Sequence, residues 1–265
     1  MSAYWKNKTV WITGAGSGIG QALALELSKR GASVILSARS KDKLQAVKNN
    51  CTQPDKAFVL PFDLTDIPSF GAQTEKAISF SGKVDVLINN GGISQRSAAH
   101  ETPVEIDRQI MEVNYFGNIA LTKALLPHFR ANGSGQIAVV SSISGKFGFF
   151  LRSAYAASKH ALQGFYESLR LEELPNGLKV NTIYPGIINT PISLSALTAS
   201  GEVHGQMDEK QAGGISAERC ARQILAGMEK NRPEIFAGGK ELFAVKIKRF
   251  FPRYFFKMIA KQKAT

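Results

Sequence analysis

Tyr155 and Lys159 stand four residues apart in Tyr155-Ala156-Ala157-Ser158-Lys159, inside a helical pattern that puts the phenol and the ammonium on one face. A free tyrosine ionises at about pH 10, and a cation within a few ångströms favours the phenolate and brings the group toward a working value. Such a phenol can hold and then protonate a carbonyl oxygen that gains negative charge as a reaction proceeds. Alone, the same spacing also fits ordinary surface packing.

A second constellation lies near the N-terminus. Thr13-Gly14-Ala15-Gly16-Ser17-Gly18-Ile19-Gly20 closes an apolar run and leads straight into the helical pattern beginning Gln21-Ala22-Leu23. Glycines there let the chain turn sharply and let backbone N–H groups approach a pyrophosphate at the positive end of the helix. The spacing of Gly14, Gly18 and Gly20 is not G-x-G-x-x-G, so a purely structural turn stays open. In dinucleotide folds an acidic side chain about twenty residues further on binds the ribose 2′-hydroxyl. Here the second apolar run ends Ser37-Ala38-Arg39, with no carboxylate. A guanidinium at that place suits a 2′-phosphate, so NADP(H) is expected ahead of NAD(H). The competing reading makes Arg39 a solvated residue before a helix.

These residues need a framework to position them, and short apolar runs alternating with longer helical patterns supply it. Strands are expected at Thr9 to Thr13, Ser33 to Ser37, Ala57 to Phe62, Val84 to Asn89, Ile137 to Ser141, Leu178 to Ile183 and Glu234 to Ala237. Helices are expected to start near Gly18, Lys41, Ile67, Val104, Ser153 and Ser216. The alternation implies βαβ units, hence an α/β fold with a parallel sheet buried on both faces. One domain is expected over 1–265, interrupted by a polar, Ser- and Gly-containing loop at 192–214 that is read as mobile and substrate-covering.

With these pieces in order, the chain resembles the short-chain dehydrogenase/reductase family over residues 8 to about 237. Its cofactor loop, T-G-x-x-x-G-I-G, matches residues 13–20. The resemblance implies a doubly wound (Rossmann) seven-stranded sheet in the order 3-2-1-4-5-6-7, a nicotinamide cofactor, and hydride exchange with a carbonyl or alcohol. It implies catalytic roles for Asn114, Ser142, Tyr155 and Lys159: the serine on the substrate oxygen, the asparagine on a water that links the lysine to solvent. Ser141 is the weaker candidate beside Ser142. Cofactor contacts are implied for Gly14, Ser17, Gly18, Ile19, Gly20, Asp63, Leu64, Asn89, Gly91, Pro185, Gly186, Ile188 and Thr190, besides Tyr155 and Lys159. Asn89 serves as a brace in Asn89-Asn90-Gly91-Gly92, where the family more often reads N-N-A-G.

Residues 144–152 border the substrate in that family, and three phenylalanines there suggest an apolar partner. Phe147 and Phe149, with Ile187, Leu194 and Ser94, are expected to line its site, for a steroid-, retinoid-, lipid- or aromatic-like carbonyl. The alternative is that these rings are core. Residues 91–97, Gly-Gly-Ile-Ser-Gln-Arg-Ser, are similar to the branch called dehydrogenase/reductase family member 7. The resemblance also implies a homodimer or homotetramer.

Charge is concentrated at the end. Glu241 to Thr265 holds seven basic residues and one acidic, about half of the +12 total. Arg253, Lys257 and Lys261 recur every fourth residue, with Tyr254, Phe255, Met258 and Ile259 between them, as in a basic amphipathic helix. That tail, 241–265, is expected either to touch an anionic membrane peripherally or to close the substrate cavity or a subunit contact. No nucleic-acid-binding motif accompanies the charge. Composition excludes other classes: 44% apolar and 20% charged residues describe an ordinary globular chain, and two cysteines are too few for a disulfide framework. Histidine spacing offers no metal site. No secretion signal or spanning segment is read, so a cytoplasmic, at most peripheral, protein is expected. Three alternatives stay open: a 3-oxoacyl-carrier-protein reductase, a non-enzymatic cofactor-sensing protein, and a membrane-interaction module.

Overall fold

Thr9–Thr13 (β1) is buried at all five positions, as a strand must be when helices cover both faces of its sheet. In the computed structural model, which describes residues 3–262, β1 pairs in parallel with Ser33–Ser37 (β2) and with Val86–Asn89 (β4). Ala57–Val59 (β3), Gly135–Val140 (β5), Leu178–Pro185 (β6) and Glu234–Ala237 (β9) complete a seven-stranded parallel sheet, β3-β2-β1-β4-β5-β6-β9. The expected order holds. The last strand is ninth in the chain because Ile188–Asn189 (β7) and Ile215–Ser216 (β8) form a separate two-stranded pair. β3 stops at Val59, short of Phe62, because its ladder with β2 spans only Val34 to Leu36.

Two layers of helix cover the sheet. Gly18–Lys29 (α1), Lys41–Asn49 (α2) and Ala217–Glu229 (α8) bury Leu23, Leu27, Leu44 and Ile224 against one face. The other face carries Phe70–Ser79 (α3), Gly117–Ala131 (α5) and Ser153–Glu172 (α6), with Leu121, Leu125, Leu162 and Tyr166 in the core. Helices begin where capping residues stand: the side chains of Ser40 and Ser216 accept hydrogen bonds from Lys43 N and Arg219 N. The pattern that starts at Val104 is one rod with a fault in it. Val104–Met111 (α4) passes into α5 through a π-helical turn, Glu112–Phe116, that carries Asn114. π-Bulges cluster at functional sites because they turn one side chain out of register.

Residues 192–214 are not a bare loop. Leu197 bridges to Gln95 and to Val203, and Glu209–Ala212 forms one helical turn (α7), so the segment is a fastened cover. Beyond β9, Phe243–Phe250 (α9) and Pro252–Ile259 (α10) make a helical hairpin broken at Phe251, before Pro252. Lys263, one of the tail cations, lies outside the described residues.

Candidate active site

At the sheet's carboxyl end the glycine loop leaves β1. Gly14 and Gly18 adopt φ of +63° and +54°, conformations that L side chains rarely take. A Cβ on Gly20 would fall 2.2 Å from the Gly14 carbonyl oxygen, so only glycine lets α1 sit this close to the loop. Ser17, extended at φ −164°, precedes the first turn of α1 and makes no side-chain cap hydrogen bond there. The result is a backbone cradle at a helix N-terminus, which fits a dinucleotide pyrophosphate. Thr13 and Asn90 tie it to β4: the Thr13 hydroxyl accepts from Asn90 N (3.0 Å) and Gly91 N (2.9 Å), and Asn90 Nδ2 donates to the Gly14 carbonyl. Both residues sit in the quoted motifs, which assign neither a role of its own. Asn89 braces from the other side, donating to Thr122 Oγ1 (2.8 Å) and to the Tyr166 hydroxyl (3.0 Å).

Arg39 is exposed at the end of β2. Lys43 packs close by, its Cβ only 3.3 Å from where one on Gly16 would lie, so a second cation borders the loop. Asp63 accepts from Thr65 N and Thr65 Oγ1, both at 2.9 Å, and Leu64 packs where a Cβ on Gly91 would collide at 2.5 Å.

α6 presents its reactive residues because Tyr155, Ser158, Lys159, Leu162 and Tyr166 recur at helical spacing and bury one face. Its N-terminus is capped from a distance: Gln95 Oε1 accepts from Ala154 N (2.9 Å) and Tyr155 N (3.4 Å). Lys159 Nζ donates to the Val140 carbonyl at 2.9 Å, and its position over the Tyr155 ring is 5.7 Å from the centroid. Burial pushes the Lys159 ammonium down to about 8. Burial pushes the Tyr155 phenol up, against a hydrogen bond with Ser142 and the charges of Arg96 and Arg152. Arg96 and Arg152 thus join Lys159 as cations near Tyr155. Ser141 spends its hydroxyl on the Lys159 carbonyl (2.9 Å) and borders only the smaller of two cavities, whereas Ser142 lines both. Asn114, fully buried, exchanges hydrogen bonds with the Ile93 backbone and donates to Ser158 Oγ.

Two cavities meet at Ser142 and Tyr155. The smaller, about 90 Å³, runs past Ile19, Asn90, Lys159, Pro185, Ile188 and Thr190 toward the glycine loop. The larger, about 350 Å³, is lined by Ser94, Phe147, Phe149 and Ile187 among others. Leu194 is a correction: it sits on an exposed turn of the cover, and Ile192 lines the cavity in its place. Tyr184 stacks on Phe236 beneath Lys146 and lines neither cavity. The tail closes the far end, since Met258, Ile259 and Gln262 line the wall and buried Phe255 packs on Phe147 at 4.9 Å between centroids. One wall of this cavity carries charge. Arg96, Arg152 and Lys210 stand there beside Asp208. Gln211, lining both cavities, donates to the Ile188 carbonyl and Thr190 Oγ1, each at 3.2 Å.

The family model for short chain dehydrogenase matches residues 8–200. The chain belongs to the short-chain dehydrogenase/reductase family. Among relatives, it is 44% identical over 234 residues to the Dehydrogenase/reductase SDR family protein 7-like of Anopheles gambiae, covering 86% of this chain and 74% of the relative. To the Dehydrogenase/reductase SDR family member 7B of Bos taurus it is 39% identical over 268 residues, covering 98% and 82%. A crystal structure of a short-chain dehydrogenase from Streptomyces avermitilis superposes with a TM-score of 0.82 at 29% identity, over 97% of each chain. A short-chain dehydrogenase/reductase of Burkholderia phymatum in complex with NAD reaches the same TM-score at 19% identity, over 100% of this chain and 98% of that one, and speaks for the fold alone. Membership makes this chain an NAD(P)-dependent oxidoreductase of the dehydrogenase/reductase kind. Among the described residues no helix is long and apolar enough to cross a membrane.

Proposed function

We propose that this chain exchanges a hydride between NADP(H) and the carbonyl or secondary alcohol of a substrate with an apolar body, with Tyr155 as the proton carrier. The observation that carries the reading is the place of two hydroxyls. Ser142 and Tyr155 stand where the cavity from the glycine loop meets the cavity lined by Phe147, Ile187 and Met258. The cofactor, when bound, supplies or takes the hydride. Gly14, Ser17, Gly18 and Gly20 would hold its pyrophosphate, Asp63 and Leu64 its adenine end, and Pro185, Gly186, Ile188 and Thr190 its nicotinamide end.

Ser142 holds the substrate oxygen and Tyr155 gives it a proton as negative charge builds there. Lys159, mostly protonated at neutral pH, stands behind the phenol, and Asn114 fixes the turn that orders this end of α6 through Ser158. Arg39, with Lys43 near it, supports a 2′-phosphate and so NADP(H). Arg39→Asp is expected to lower the preference for NADPH over NADH by about 10- to 100-fold in kcat/KM, the worth of one charge-assisted contact turned repulsive. A carbonyl panel of steroid, retinoid, aromatic and acyl-thioester compounds, each run with NADPH and NADH, tests chemistry and cofactor together. Turnover of short acyl thioesters alone would favour a 3-oxoacyl-carrier-protein reductase, and tight NADPH binding with no turnover would favour a sensing role.

The tail supports a second contact. Phe243, Phe250, Phe251, Tyr254 and Phe256 are exposed among basic residues on α9 and α10, which suits a peripheral stay on an anionic bilayer. Sedimentation with anionic and neutral vesicles checks it. Assembly as a homodimer or homotetramer is carried over from the family resemblance and is read by light scattering.

A further inference from the structure

α6 begins without an acceptor from its own capping position. Arg152 stands there, and a guanidinium has nothing to offer the first N–H groups of the helix. Tyr155 is the third residue of α6, so it lies in the turn that an uncapped end would leave to fray. The acceptor comes instead from Gln95, 59 and 60 residues away: its Oε1 takes Ala154 N at 2.9 Å and Tyr155 N at 3.4 Å. At the other end of the amide, Nε2 donates to Thr102 Oγ1 (3.0 Å), Ser97 Oγ (3.2 Å) and Ser153 Oγ (3.3 Å). Backbone N–H groups can only donate, so the amide stands with Oε1 toward α6 and Nε2 toward the hydroxyls.

The strip that bears Gln95 is itself held on two sides. Leu197 of the cover accepts from Arg96 N at 2.8 Å and donates to the Ser94 carbonyl at 2.9 Å, and Ser97 N donates to the Leu151 carbonyl at 3.3 Å. Leu151, at φ +59°, makes the left-handed turn that leads into α6. Ser97 Oγ and Thr102 Oγ1 lie 2.7 Å apart, and Thr102 Oγ1 donates to the Ala98 carbonyl at 2.7 Å, so the hydroxyls that receive the amide are fixed in turn. Gln95 is fully buried, at 0% exposure. A methionine of the same length would fill that space without the desolvation of an amide, so the polar ends have a use beyond packing.

We propose that Gln95 is a positioning residue of the reaction, a role that rests on Tyr155 carrying the proton. By capping α6 from the strip after β4, its amide keeps the first turn closed and the Tyr155 phenol beside Ser142, where the two cavities meet. A displacement of about 1 Å at a reacting group can cost about 100-fold in rate, so a first turn that opens part of the time withdraws the phenol from use. Sequence-distant capping thus does for Tyr155 what Lys159, deeper in the same helix, has from the helix itself.

The test compares two side chains of the same length in the full chain. Gln95→Met fills the space and removes the acceptor, whereas Gln95→Glu keeps it, and the hydroxyls of Ser97, Thr102 and Ser153 can rotate to donate to the carboxylate. Amide hydrogen exchange at Ala154 and Tyr155 is expected to quicken about 10-fold in Gln95→Met, the scale of a lost cap, and to stay near the parent rate in Gln95→Glu. The second readout is kcat with NADPH and the panel carbonyl that the parent turns over fastest, counted per NADPH-binding site and taken on its pH plateau. It is expected to fall about 10-fold in Gln95→Met and to return to within about 3-fold of the parent in Gln95→Glu, with NADPH affinity unchanged in both. Equal losses in the two variants would mean that the side chain only fills space. Unchanged exchange in Gln95→Met, or exposed amides with unchanged kcat per site, would mean that Tyr155 keeps its place without the cap. Each of these results overturns the proposal. Should Gln95→Met fail to fold, Thr102→Val, which removes the nearest hydroxyl at the donor end of the amide, decides by the same two readouts, with smaller changes in the same directions. Exchange needs no substrate, so a wrong assignment of Tyr155 as proton carrier would show separately, as full turnover in Tyr155→Phe.

Discussion

The phenol at position 155 and the ammonium at 159 are opposed by the same burial that makes them useful. Tyr155→Phe keeps the ring and removes only the hydroxyl. Turnover is expected to fall by about 100-fold or more, the scale of a lost proton donor, with NADPH affinity unchanged in a fluorescence titration. Lys159 carries a folding signature as well. Below pH 8 it is protonated in both folded and unfolded chains, so the cost of burying its charge is fully present. Between about 8 and the ordinary lysine range the folded protein has released a proton that the unfolded chain keeps, and stability from this group rises with pH. Lys159→Met should therefore lose ground to the parent between pH 7 and pH 9.5, by about 2 kcal/mol in urea unfolding. A constant difference across that range would mean that the ammonium is not buried as described. The unpaired Val140 carbonyl in the variant shifts both ends equally and leaves the trend.

At the scale of elements, the site depends on close approaches that no single residue shows. α1 rests on the glycine loop through Gly20, where even one methyl group meets the Gly14 carbonyl oxygen. Gly20→Ala is expected to cost about 1–3 kcal/mol of stability, as overpacking does, and to weaken NADPH binding at least 10-fold by pushing the loop off the helix axis. Equal NADPH affinity in the variant would show the cradle to be a structural turn. The π-helical turn and the Gln95 cap belong to the same scale. Asn114 reaches Ile93 and Ser158 only because five residues depart from α-geometry, and α6 begins where Gln95 meets its first N–H groups.

Across the whole molecule, the cavity is finished by two segments from the C-terminal third of the chain: the cover between β7 and β8, and the hairpin after β9. Phe255, fully buried against Phe147, is the hairpin's anchor in the body. Removing everything after Leu242 keeps Glu241 on Ile187 N while deleting Met258 and Ile259 from the wall. That truncation is expected to raise KM for apolar carbonyls at least 10-fold, through lost burial of about 25 cal/mol per Å², with NADPH affinity retained. An unchanged KM would place the hairpin's role elsewhere. Its exposed aromatics and cations would then matter only at a surface, and vesicle binding would vanish in the same truncation.

The sequence by itself determined the sheet, its buried faces, the glycine loop and the Tyr155–Lys159 face, because each is a local period or a contiguous run. Alternation of two periodicities suffices for βαβ units, and a phenol four residues from an amine must share its side of a helix. Ser142 is preferred to Ser141 on the family resemblance, and what the structure adds is the partner of Ser141, the Lys159 carbonyl. Leu194 was misplaced because an irregular segment has no period to orient its side chains. The charged wall was out of reach for a simpler reason. Arg96, Arg152 and Asp208 are 56 and 112 residues from their partners, and Gln95 caps a helix 59 residues away. Contacts at such separations leave no local pattern, so tertiary packing alone decided what surrounds the phenol.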